Sequence, residues 1–244
     1  MPLWGAVAIS TSWDITTLKI TGSGTSYPAN LFAPSELSLT AGKTTVLVGT
    51  SGSGKSTLLR MLAGLECVPE NFRLEGLPSG LKRAYMTQDV HLLPWFTVER
   101  NAGISNELRG EAIDHSGVAR ALEQLDLVRD AQKYPGQISG GMAQRTALAR
   151  TLLEDADLNL LDEPFAALDA ITRRNMQDLV KQHFHGKTVV LVTHDPMEAI
   201  RLGDAIYVLS QAEPGGPAAF TLFAQTDDDA PARADQLFKR LQST

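Results

Sequence analysis

The chain has 244 residues, 43% apolar and 20% charged, with a formal net charge of −6. That size and balance describe one large domain, or a core with an inserted subdomain, and argue against general affinity for nucleic acid. One cysteine, Cys67, excludes an internal disulfide and fits a reducing compartment, and no apolar run approaches the ~20 residues that span a bilayer.

The apolar start Met1–Ile9 lacks a basic flank and is not expected to be a signal peptide. Short alternating runs at Thr16–Ile20 and Glu36–Thr40 predict antiparallel strands, punctuated by Gly22, Gly24, Pro28 and Pro34. Thr44–Val48 is β-branched and apolar and predicts a buried strand. It runs into Gly49-Thr-Ser-Gly-Ser-Gly-Lys55-Ser56, followed by a predicted helix over Ser56–Gly64. From about Asp89 to Leu153 the pattern turns helical. Val118, Ala121, Leu122, Leu125 and Val128 keep helical spacing within Glu111–Tyr134, and Gly141–Leu153 is a further predicted helix. Two strand–helix units follow: Asp157–Asp162 with Ala170–Phe184, then Thr188–Thr193 with Met197–Leu202. Ala205–Ser210 is a last core strand, and the tail carries a hairpin strand near Ala219–Phe223 and a short helix over Asp235–Leu241. Strands alternating with helices imply a mostly parallel α/β sheet, with the helical middle as an insertion.

Gly49 to Thr57 has the composition of a phosphate cradle. Glycines let successive backbone N–H groups face inward, and the helix start adds its dipole. Lys55 is expected to reach the β- and γ-phosphates and Ser56 to ligate Mg²⁺. Asp162 ends a core strand, where a carboxylate can hold Mg²⁺, with Glu163 placed to polarise an attacking water. Ser139-Gly140-Gly141 opens a helix; alone it reads as an ordinary Ser-capped start. His194 follows a core strand, an address that favours the γ-phosphate, whereas His183 and His185 read as solvated.

In this order the motifs resemble those of the nucleotide-binding subunit of an ABC transporter, over about residues 10–215. The resemblance implies a P-loop NTPase (RecA-like) core, an N-terminal antiparallel β-subdomain and an inserted α-helical subdomain. It divides the chain into 1–88 plus 154–213, helical 89–153, and a short tail 214–244. It matches Gly49, Thr50, Ser51, Gly52, Ser53, Gly54, Lys55, Ser56 and Thr57 to the Walker A loop. Gln88 corresponds to the glutamine that touches Mg²⁺ and the water, and Leu158–Glu163 to the Walker B strand and catalytic glutamate. Ser139, Gly140 and Gly141 match the signature, Ala166–Asp169 the loop crossing the dimer interface, and His194 the switch histidine. Tyr27 is the candidate for stacking on adenine, with Phe32 and Trp13 behind it. Ile138, Met142 and Asn159 depart from the common pattern without removing a needed chemical group.

The same resemblance implies ATP and Mg²⁺ as cofactors and a second copy whose Ser139 closes the first copy's site. It also implies a transmembrane permease and, indirectly, a solute-binding protein, with the chain peripheral to the cytoplasmic side of the inner membrane. Leu92-Leu-Pro-Trp-Phe96 resembles the segment found in importers for nitrate, sulfonates, taurine and pyrimidine thiamine precursors. Gly76 to Gln88 looks most like the hydroxymethylpyrimidine branch. The five residues Leu92 to Phe96 also read as an exposed apolar docking surface. A soluble role in DNA repair or translation lacks the coiled coil or second cassette it would need. A weakly hydrolysing nucleotide sensor is disfavoured by Glu163 and His194.

Overall fold

The computed structural model describes residues 15–20, 31–70, 72–75, 77–78, 80–211, 216–223 and 230–242. Strands β1 (Ile15–Ile20), β2 (Ser35–Thr40) and β4 (Phe72–Glu75) form an antiparallel sheet in the order β2-β1-β4. Its faces differ as alternation requires: Leu18, Leu37 and Leu39 are buried, while Glu36 and Thr40 are exposed.

The larger sheet has the order β5 (Arg83–Met86), β6 (Leu158–Asp162), β7 (Thr188–Thr193), β3 (Thr44–Gly49), β8 (Ala205–Gln211), β9 (Ala218–Phe223). All its pairings are parallel except β8–β9. Every residue of β6 and β7 is buried, as expected of central parallel strands covered on both faces. One apolar core lies between the two sheets and under α1 (Lys55–Ala63). The other lies between the large sheet and helices α2 (Val98–Leu108), α3 (His115–Gln124), α4 (Gly140–Leu152), α5 (Ala170–His183), α6 (Pro196–Leu202) and α7 (Ala230–Gln242).

Two departures from the sequence pattern have local causes. The helical spacing through Val128 breaks because α3 stops at Gln124 and Asp126 turns into positive φ (51°); Val128 lies in a 3₁₀ turn, exposed. Helix α2 lies within the stretch expected to be helical, although its bounds were not assigned; its start signal is Thr97, which caps it by accepting from the Arg100 N–H at 3.3 Å. Asn159, the polar residue of β6, donates to the carbonyls of Thr188 (3.3 Å) and Ala156 (3.5 Å).

His183 is not solvated. It is partly buried at the end of α5, its ring edge-on to Phe184 with centroids 4.9 Å apart. Burial, with the nearby Lys187 cation, pushes its pKa down to about 4. The folded state therefore binds fewer protons than the unfolded state between about pH 6.5 and pH 4. Stability should fall as pH drops through that window and stay flat above it. His183→Gln should flatten this acid limb. Urea midpoints of both proteins at pH 7 and pH 4.5 check it, and an equal drop in both would contradict it.

Candidate nucleotide site

The phosphate loop leaves β3 at Gly49 and enters α1 at Lys55. Gly52 (φ 82°) and Gly54 (φ 92°) take left-handed backbone, which glycine adopts without strain. Gly54 has a second constraint: a Cβ there would stand 2.9 Å from the Phe32 ring. Phe32 is therefore a floor for the loop and does not stack on adenine. It is fully buried, stacked on Phe220 (5.4 Å, 19°) and edge-on to Phe72 (5.4 Å, 73°). Tyr27 and Trp13 lie outside the described residues.

Lys55 is buried, and its Nζ donates to the carbonyls of Gly49 (2.9 Å) and Thr50 (2.7 Å). Burial lowers its pKa, with Glu163 and Asp162 opposing that shift. An open cleft of about 290 Å³ lies over the loop, lined by Ser51, Gly52, Gly54, Lys55, Ser56, Thr57, Leu31, Gln88 and Glu163.

At the tip of β6, Asp162 is buried and its pKa is raised, first by burial. The Ser56 hydroxyl lies beside it and opposes that rise, Tyr85 donates to Oδ2 at 3.4 Å, and Oδ1 is buried with no hydrogen-bond partner. A buried anionic oxygen without a partner beside a serine hydroxyl is the chemistry a hard divalent cation satisfies.

Glu163 follows in left-handed backbone (φ 46°), a conformation that costs a non-glycine residue about 1–3 kcal/mol and needs support around it. Its Oε2 lies 3.5 Å from Gln88 Nε2 and 3.3 Å from His194 Nδ1. The expected trio of Gln88, Glu163 and His194 is thus gathered at one edge of the cleft. The His194 backbone is held from both sides. Asp195 N–H donates to Thr193 Oγ1 (3.0 Å), and Asp195 caps α6 by accepting from Met197 N–H (2.8 Å).

Ser139 and Gly140, by contrast, are exposed and do not line the cleft that holds Lys55. Ser139 caps its own helix, accepting from Met142 N–H at 3.2 Å, and this leaves the helix start facing outward.

Several residues of the site carry no motif signal. Gln144, buried on α4, donates to the Glu163 carbonyl (2.9 Å) and accepts from Ala167 N–H (2.7 Å). Glu198 is buried, its pKa raised by that burial; it accepts from Thr193 (2.6 Å) and Gln177 (3.2 Å) and faces Arg173 at 3.8 Å. Asn101 is fully buried and pins the 93–97 loop through Leu93 N–H (2.8 Å) and the carbonyls of Leu93, Phe96 and Thr97. In that loop Trp95 is 66% exposed and Pro94 is exposed, whereas Leu92, Leu93 and Phe96 are partly buried. The apolar surface is smaller than the sequence run suggests.

A glycine loop between a parallel strand and a helix, with two carboxylates at the tip of a nearby strand, defines a P-loop nucleoside triphosphatase. The chain belongs to the ABC transporter family, whose profile matches residues 32–166. It is 47% identical over 186 residues to "Aliphatic sulfonates import ATP-binding protein SsuB 2" of Agrobacterium fabrum, covering 72% of this chain and 69% of that one. To the SsuB of Bacillus subtilis it is 40% identical over 187 residues, covering 74% and 72%. The ATP-binding cassette MJ0796, solved as a dimer in a post-hydrolysis state bound to ADP and Pi, superposes with a TM-score of 0.67 at 28% identity, covering 80% of this chain and 94% of that one. The chain is accordingly an ATP-binding ATPase. Among the described residues no helix is long and apolar enough to cross a membrane.

Proposed function

We propose that the chain energises an importer of sulfonate-type organic anions, acting as two head-to-tail copies on the cytoplasmic side of a permease fed by a solute-binding protein. The observation that carries the hydrolytic part is Glu163 seated between Gln88 and His194 at the edge of the phosphate-loop cleft. ATP enters with its phosphates on the N–H groups of residues 50–57, and Lys55 exchanges its carbonyl partners for phosphate oxygens. Ser56 and Asp162, with Gln88, would hold Mg²⁺, which when bound neutralises charge on the β- and γ-phosphates. Glu163 takes a proton from the water that attacks the γ-phosphorus as the bond to ADP breaks. His194, within hydrogen-bond reach of Glu163, steadies that carboxylate and the γ-phosphate. The outward-facing Ser139–Gly141 start caps the partner copy's ATP. In this reading residues 89–153 form a helical lever, with Pro94 and Trp95 as its permease contact.

The cargo class rests on the names of relatives at 40–47% identity. They outweigh the short Gly76–Gln88 likeness to the hydroxymethylpyrimidine branch. The test is reconstitution with permease and binding protein in vesicles. Aliphatic sulfonates should stimulate ATP hydrolysis, and Trp95→Ala should abolish the stimulation while leaving the isolated subunit's basal rate intact. Stimulation by hydroxymethylpyrimidine but not by sulfonates would overturn the cargo assignment. An equal loss of basal rate in Trp95→Ala would make that residue structural.

A further inference from the structure

Glu163 holds a backbone conformation that its own side chain disfavours, so neighbouring groups must impose it. Its N–H donates to the Val192 carbonyl at 3.0 Å, which ties it to β7. Its carbonyl accepts from Ala166 N–H (3.2 Å), closing a turn, and from Gln144 Nε2 (2.9 Å). Of these bonds only the last comes from a side chain. The same carboxamide accepts Ala167 N–H at 2.7 Å, and a carbonyl on one side with an N–H on the other leaves one orientation for the amide. Gln144 is buried, so neither half of the amide has water as a substitute partner.

Gln144 sits on α4 one turn beyond Ser139, Gly140 and Gly141. That end of the helix also packs on the same loop: a Cβ at Gly141 would stand 3.2 Å from the Ala167 carbonyl oxygen. The loop's far side is held by Arg173, which donates to the Leu168 carbonyl at 2.8 Å. The turn after Glu163 therefore lies between α4 and α5, and Gln144 is its hydrogen-bonding tie to α4.

We infer that Gln144 is a positioning residue: it holds the Glu163 backbone in its working conformation and couples that conformation to the start of α4. This rests on the two-copy reading above. Ser139–Gly141 would sense the partner copy's ATP, and Gln144 would pass the displacement to the glutamate of its own copy's site. The nucleotide-contacting atoms are untouched by Gln144, so its removal should alter the chemical step and spare ATP binding.

Gln144→Met keeps the length and removes both hydrogen-bonding groups. In the full chain it should lower kcat about 10- to 100-fold with little change in ATP affinity, as misplacement of a reacting group does. The deciding comparison is the Glu163→Gln background, where Gln144→Met should have no further effect on single-turnover hydrolysis. A further loss equal to that in the parent would overturn the inference, because Gln144 would then act by a route other than Glu163. Gln144→Glu, which keeps an acceptor for Ala167, gives the same comparison should the Met variant fold poorly. ATP-induced dimerisation is followed in parallel. Failure of Glu163→Gln to dimerise in ATP would sink the two-copy reading, whereas intact dimerisation with additive rate losses would sink the Gln144 role alone.

Discussion

Glu163→Gln should lower ATP hydrolysis about 10²- to 10⁴-fold, the range for removing a positioned general base. The substitution keeps side-chain length and shape, and glutamine at a left-handed position is no worse than glutamate, so the urea midpoint should hardly move. What changes is charge. Glu163 is one of two carboxylates that offset the burial of Lys55, and after substitution Asp162 alone does so. The γ-phosphate, itself anionic, meets less repulsion in the variant's cleft, and ATP binding should hold or tighten. With hydrolysis slowed and ATP kept, the two copies should stay together: size-exclusion chromatography should show a dimer in ATP and a monomer without it. A variant that is monomeric in ATP and hydrolyses at the parent rate would remove Glu163 from the mechanism.

Gly54→Ala should nearly abolish nucleotide binding. Two separate penalties meet at this residue. Its φ of 92° is left-handed backbone that alanine resists, at about 1–3 kcal/mol. The new methyl would also press on the Phe32 ring at 2.9 Å, and that ring is clamped between Phe72 and Phe220 with nowhere to retreat. The loop itself must then shift, which turns its N–H groups away from the phosphates. Binding of a fluorescent ATP analogue should fall at least tenfold, with thermal stability lowered as well. Adding Phe32→Leu should recover part of the loss, since it opens space without curing the backbone strain. Full recovery would mean that contact with the ring was the whole effect. No recovery would mean the backbone was.

The phosphate loop was legible in the sequence because its chemistry is local: eight consecutive residues supply the glycines, the lysine and the serine. Asp162, Glu163 and His194 were legible because they stand at the ends of mostly apolar strand runs, and parallel strands deliver such residues to one edge. Gln144 was not: it follows the Ser139–Gly141 motif by one helical turn, but its partners lie 19 and 23 residues away, so its own role could not be read from the sequence around it. Helix α2 was obscured by Asn101, a polar residue at a fully buried position whose amide serves the preceding loop. Phe32 shows the limit of residue type as a guide. An aromatic near a phosphate loop suits a base stack or a core equally, and its burial against Phe72 and Phe220 decides for the core. His183 misled for the same reason: polar neighbours in sequence concealed a ring half-buried against Phe184.

The hydrogen bonds of Lys55 have a consequence for nucleotide entry. Its ammonium already occupies the loop's own carbonyls at 2.7 and 2.9 Å, so the cradle carries an internal counter-ion before any ligand arrives. In the proposed function, binding would be an exchange in which the cation trades carbonyl contacts for phosphate oxygens. Affinity measures the difference between those two sets of contacts. Ligands too short to reach the ammonium, such as a nucleoside or its monophosphate, would leave the old contacts in place and gain none of that difference. Selection for the triphosphate would then begin with a latch that only a long enough anion can open.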